Sequence, residues 1–166
     1  EVPADVMLLR DGGLLAAGTW TFERGAGVKG WIHLWNASTG DLIWKAEYGV
    51  KPIPAIAFRP DGKQLAVATW DGWVGLFAVP GDGRPSAELK LTVPEGAYHA
   101  MQNVAYAPDG KTLAAVAKDR LVHYVDTASG KLLRESSGHA GWVNAVAYGG
   151  GGRWAASGSS AITSSV

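Results

Sequence analysis

The side chains able to do chemistry in this chain are few and widely spaced. Four histidines are present, His33, His99, His123 and His139, and cysteine is absent. Without Cys there is no disulfide, no thiolate metal site and no thiol nucleophile, and either redox compartment suits the chain. His33 and His123 stand at equivalent places in two copies of a repeated phrase. A metal pair is one reading of them. Carboxylates are scarce around both, and a repeated strand position accounts for them more simply. Gly149–Gly152 lacks the Lys-Ser/Thr that completes a phosphate cradle, and it falls between two strands. Ser157-Gly158-Ser159-Ser160 lacks the strand–turn–helix setting of a nucleophile elbow. The acids Asp41, Glu47, Asp61, Asp71, Asp82, Asp109, Asp119 and Asp126 sit mostly at turns, where side-chain bonds to the backbone explain them. The sequon Asn36-Ala37-Ser38 reads as a turn after a strand. These residues point to no enzyme, no metal and no cofactor.

The elements that carry them repeat. Asp11-Gly12, Asp61-Gly62 and Asp109-Gly110 are each followed by an apolar strand, at spacings of 50 and 48 residues. The copies are Leu14–Trp20, Gln64–Trp70 and Thr112–Ala117. A fourth copy, Val146-Ala147-Tyr148 then Arg153–Gly158, lies 42 residues after Val104-Ala105-Tyr106. There the Pro-Asp-Gly turn has decayed to four glycines. Periods in the forties indicate stacked repeat units. Each unit resolves into short strands bounded by Pro-Asp-Gly, Ser-Thr-Gly or Ala-Ser-Gly turns. In unit one they are Asp5–Arg10, Gly13–Trp20, Gly30–Asn36 and Asp41–Tyr48. The runs are apolar on both faces, as suits sheets sandwiched between sheets.

Composition agrees. The chain has 166 residues, 47% hydrophobic and 18% charged, which is enough for one domain with a sizeable core and excludes intrinsic disorder. Its 23 Gly and 8 Trp suit tight turns with bulky fillers. Fifteen basic and fifteen acidic residues cancel, with no Lys/Arg run, so a broad grip on nucleic acid or an anionic membrane is not expected. No apolar run approaches the ~20 residues a membrane helix needs. The chain starts at Glu1, which reads as a processed or excised piece.

These phrases resemble the WD-repeat β-propeller family. The likeness rests on Gly138-His139 with Val143–Tyr148, on the Pro-Asp-Gly turns, on Ile32–Asn36 with Ser38-Thr39-Gly40, and on Leu121–Asp126 with Ala128–Leu132. It covers essentially the whole chain and implies an all-β fold. The expected architecture is a partial β-propeller of WD-repeat type with four-stranded antiparallel blades, three full blades plus one hairpin. The expected bounds are 4–48, 49–93, 96–136 and, for the incomplete fourth blade, 138–166.

In that family each blade is pinned by a His before the first strand, a Ser/Thr in the second, an Asp in the next turn and a Trp in the third. The resemblance transfers this set only in pieces. Blade one keeps Thr19 and Trp35, with Thr21–Lys29 inserted at the tight turn. Blade two keeps Thr69 and Asp71, with Phe77 for Trp. Blade three keeps Asp119, with Val125 for Trp. Blade four keeps His139 and Ser159, with Ala161 for Asp. The resemblance also implies a narrow top face used for binding, formed by the residue before the turn Asp and the residues leading into the first strand. Here these are Trp20, Trp70 and Lys118, with Lys51, His99 and Trp142. Exposed aromatics are favoured anchors; the competing role for these Trp is to plug gaps between blades, as expected of Trp31 and Trp73. Thr21–Lys29 and Pro80–Pro85 are further candidate contact loops.

Three and a half units fall short of the roughly four to eight that close a propeller. The resemblance therefore implies a non-catalytic protein–protein interaction scaffold whose ring is completed by other protein chains, by a homo-oligomer or by further blades. The alternatives are a propeller subdomain of a larger periplasmic enzyme or redox protein with its active site elsewhere, and a structural subunit of a larger complex.

Overall fold

Two turns show how local chemistry ends one strand and starts the next. Asp61 Oδ1 accepts from the backbone N–H of Lys63 at 3.0 Å, and Gly62 N–H donates to Arg59 O at 2.8 Å. One blade later Asp109 Oδ1 accepts from Lys111 N–H at 2.9 Å, and Gly110 N–H donates to Ala107 O at 2.8 Å. Both glycines are left-handed, with φ of 72° and 70°, a conformation that costs a side-chain-bearing residue strain. In the fourth copy Gly150, Gly151 and Gly152 all have positive φ and form a one-turn 3-10 segment. The run of glycines there is a requirement of turn geometry.

The computed structural model describes residues 2–8, 13–25, 27–81, 84–85, 88–92 and 100–160. Among them no α-helix occurs. Four antiparallel sheets follow in chain order. The first comprises β1 (Val2–Leu8), β2 (Leu14–Glu23), β3 (Gly27–Asn36) and β4 (Leu42–Glu47). The second comprises β5 (Ala55–Phe58), β6 (Gln64–Ala68), β7 (Trp73–Ala78) and β8 (Glu88–Thr92). The third comprises β9 (Met101–Tyr106), β10 (Thr112–Ala117), β11 (Val122–Asp126) and β12 (Leu132–Ser136). The last is a hairpin of β13 (Trp142–Gly149) and β14 (Trp154–Ser160). The chain is all-β, a partial propeller of three four-stranded blades and one hairpin, and the ring is not closed.

One expectation needs correction. Thr21–Lys29 is not a loop excursion between separate strands. It prolongs β2 and β3 into a ribbon, with Thr21 opposite Lys29, Phe22 opposite Val28 and Glu23 opposite Gly27. Trp31 Nε1–H donates to Thr21 Oγ1 at 3.2 Å inside this ribbon. Three β-favouring residues, Thr21 and Phe22 on one strand and Val28 on the other, let pairing continue where a tight turn was expected. Of Pro80–Pro85, residues 82 and 83 lie outside the described residues, as do His99 and Ala161.

The blades are joined face to face by three apolar cores. Blades one and two bury Ile32, Leu34, Ile53, Ile56 and Leu65 completely or nearly so. Blades two and three pair a face of Ala55, Ala57, Ala66 and Ala68 with the larger Met101 and Leu113, a small-against-large fit that keeps packing dense. Blade four packs Val143 and Val146 on Val116 and Tyr124 of blade three. Each fully buried Ile or Leu contributes about 1.5–3 kcal/mol. Polar links reinforce the middle junction. Tyr106 Oη–H donates to Gln64 Oε1 at 3.0 Å, and Gln64 Nε2–H donates to Thr127 O at 3.3 Å. Among the described residues, the far side of the last hairpin has no such cover. β14 is largely exposed, and its Trp154 is 66% exposed.

Candidate protein-interaction site

Register shows which positions of successive blades correspond. Leu15 pairs with Trp35, Leu65 with Phe77 and Leu113 with Val125. Counting five residues on from each Leu, Trp20, Trp70 and Lys118 occupy one position in three blades. Two of them are held alike by the backbone: Trp70 N–H donates to Pro52 O at 3.1 Å and Lys118 N–H to Ala100 O at 3.2 Å. Met101 N–H donates to Thr69 O at 3.2 Å, which ties the blade-two turn to the start of blade three. Trp142 opens β13 one blade further on.

Stacking the blades brings three of these residues together. Lys118 Nζ lies 4.4 Å from the ring centroid of Trp142 and 5.2 Å from that of Trp70. Both are cation–π distances. Both indoles are 44% exposed, and neither joins an inter-blade core. Trp70 and Trp142 thus lie outside the three inter-blade cores. Trp73, expected to pack, is also 37% exposed, whereas Trp31 is half-buried under Lys45, whose Nζ is 4.5 Å from its ring centroid.

The remaining top-face residues are not part of this cluster. Trp20 is half-buried in blade one, within the prolonged β2–β3 ribbon. Lys51 is exposed beside Asp71. Burial raises the Asp71 carboxyl above its ordinary value, and the Lys51 charge pulls it back. His99 lies outside the described residues.

The anticipated blade-pinning residues are placed differently from the family pattern. In blade one the ring of Trp35 stacks on His33 at 5.3 Å and 11°, while Thr19 Oγ1 is buried without a hydrogen-bond partner among the described residues. In blade two Thr69 laces its own turn, accepting from Trp73 N–H at 3.3 Å and donating to Trp73 O at 3.4 Å. In blade three Asp119 Oδ1 accepts from Leu121 N–H at 3.0 Å, and its Oδ2 lies 2.7 Å from His123 Nε2. His123 is buried, and its Nδ1 approaches Glu135 Oε1 at 2.9 Å, a charge contact not aligned as a hydrogen bond. In blade four His139 Nε2 pairs with Ser157 Oγ at 2.7 Å. Ser159, the expected partner, has a buried Oγ without a hydrogen-bond partner among the described residues. Ser157 and Ser159 point to one side of β14, so strand alternation cannot choose between them; the reach of His139 does.

His123 is the residue that sequence reasoning undervalued. Its signal was the spacing Asp119-x-x-x-His123, which a turn followed by a strand folds into contact. Among the described residues no three His, Asp or Glu side chains form a metal-ligand group.

The family described as "WD domain, G-beta repeat" matches residues 130–161. That span runs through β12 of blade three and both strands of blade four, so one sequence repeat straddles two blades. Over 131 residues the chain is 24% identical to "WD repeat-containing protein 20 homolog" of Caenorhabditis elegans, covering 78% of this chain and 16% of that protein. Over 124 residues it is 28% identical to "Echinoderm microtubule-associated protein-like 2" of Rattus norvegicus, covering 68% and 17%. The chain spans about one sixth of the length of these relatives. With blades in register, inter-blade cores and a matching repeat, the chain is similar to WD-repeat proteins and carries one stretch, residues 130–161, that matches the repeat itself.

Proposed function

We propose that this chain is a non-catalytic protein–protein interaction scaffold, docking partners on the side that bears the β2–β3, β6–β7 and β10–β11 turns. The observation that carries this reading is the cluster of Trp70, Lys118 and Trp142, drawn from three successive blades. Large aromatic rings half-exposed around a fixed cation are the kind of anchor from which interface affinity comes. Lys51 and Trp20 extend the same side toward blade one. We take residues 1–166 as a single partial propeller.

The exposed face of β13–β14 supports the second part of the reading. Every other junction between neighbouring sheets is filled by apolar side chains, whereas Trp154 on this hairpin is 66% exposed. Further blades, from a second copy, another chain or a further part of this polypeptide, complete the ring there.

Affinity capture with Trp70→Ala and Trp142→Ala variants tests the docking side. Both variants keep the wild-type circular dichroism and a cooperative melt, lowered by no more than about 5 °C, while losing captured partners. Unchanged capture by both would overturn the assignment. Light scattering tests ring completion, which falls if the protein is a stable, non-aggregating single chain.

A further inference from the structure

Among the described residues the charge on Lys118 has no anionic partner, and this identifies what the surface would take. An ammonium group carries three donors. Among the described residues, Lys118 Nζ meets only the faces of Trp70 and Trp142. Among the described residues, neither carboxylate next in sequence to these positions is paired with it. Asp71 lies near Lys51 and Gly49. Asp119 is taken by Leu121 N–H and His123. The cation is thus held in place by π-faces that leave its donors unused, between two apolar plates that are each 44% exposed.

Resting on the docking side named above, we propose that the Trp70–Lys118–Trp142 surface receives an acidic segment of a partner protein. An Asp or Glu carboxylate seats on Lys118 Nζ, and the apolar side chains flanking it lie on the two indoles. A carboxylate supplies the acceptor that the ammonium lacks and forms a charge-assisted hydrogen bond. Indole faces supply apolar area at low cost in side-chain entropy. A basic segment would repel Lys118. A neutral apolar segment would cover the ammonium without satisfying it, which carries a desolvation cost.

The test uses three short fluorescent probe peptides, blocked at both ends: alternating Glu with Leu and Phe, its Gln twin and its Lys twin. A short uridine oligonucleotide serves as a fourth probe. Anisotropy titration of the intact chain is expected to give about tenfold tighter binding of the Glu probe than of the Gln twin. That advantage shrinks as salt rises from about 50 to about 500 mM. Lys118→Met abolishes the advantage, so that the Glu probe binds no more tightly than the Gln twin. Trp142→Ala weakens both. Equal binding of the Glu and Gln probes, both lost in Trp142→Ala, overturns the acidic preference while the docking side stands. Retention of the Glu advantage in Lys118→Met overturns the assignment to that residue. Tighter binding of the oligonucleotide, or no binding of the Glu probe up to about 1 mM, overturns the proposal, and the capture experiment then judges the docking side separately.

Discussion

Lys118 Nζ sits 4.4 Å from the ring centroid of Trp142, which lies one blade further along the chain. The contact crosses the top of the junction between blades three and four, above the buried Val116 and Val143. A partly exposed cation–π contact contributes about 0.5–1 kcal/mol. Lys118→Met and Trp142→Ala are therefore expected to show a coupling of about that size in a double-mutant cycle of urea denaturation. Additive effects would mean that the contact does not hold in solution.

Arg120 is left-handed, with φ of 73°, where the equivalent residue of blade two is Gly72 with φ of 83°. A side chain in that conformation costs about 1–2 kcal/mol, part of which glycine returns through its freer unfolded chain. Arg120→Gly is expected to stabilise the protein by about 0.5–1 kcal/mol. The check is the denaturation midpoint, which should rise; a fall would show that the Arg120 side chain makes a contact that outweighs its backbone strain.

The two serines of β14 should separate cleanly. Ser157→Ala removes the hydroxyl that His139 Nε2 meets at 2.7 Å and costs about 1 kcal/mol. Ser159→Ala removes a hydroxyl with no such partner and leaves stability within about 0.5 kcal/mol of wild type, or raises it. Thermal melts of the two variants, compared side by side, decide which serine pins the blade.

How much of this was open to a reader of the sequence depends on range. The Asp61-Gly62 and Asp109-Gly110 turns place the strands on either side of them, because both are satisfied by neighbours two or three residues away. Equivalence of Trp20, Trp70 and Lys118 follows from the same register. The approach of Lys118 to Trp142 does not, since it depends on how closely two sheets pack. The prolonged ribbon was hidden for a different reason. Thr21, Phe22 and Val28 favour strands, but Gly25 and Gly27 between them carry φ of 95° and 85° and look like loop residues until the pairing is seen. His123 was hidden because a buried histidine between two carboxylates resembles, in sequence, any polar residue in a strand.

Alkaline pH should weaken the fold through two tyrosines. Burial raises the Tyr106 phenol far above its ordinary value of 10.0, and burial with Tyr124 nearby pushes Tyr148 up to about 12. The folded state therefore holds these protons more tightly than the unfolded chain. Their stabilisation is complete below pH 10 and is lost as pH rises, for Tyr148 across the interval from 10.0 to about 12. Tyr106→Phe is expected to flatten this decline. At neutral pH it also costs about 1 kcal/mol, because Gln64 Oε1 loses its donor. Melting temperatures of wild type and variant from pH 7 to above pH 10 test both effects; parallel curves would exclude Tyr106 as the cause.

The β2–β3 ribbon has a consequence for the geometry of approach. It continues three residue pairs past Trp20, on the side where blades two and three turn at Asp71 and Asp119. Three pairs at the usual rise make a post about 10 Å tall, with Phe22 in its middle pair at 67% exposure. A flat, wide body lowered from above blade one strikes this post before it reaches Trp70. Slender chains, or bodies arriving from the side of blade four, pass it freely. For a partner docking on this side, the ribbon would act as a steric gauge, sorting visitors by width and direction before any charge or ring is touched.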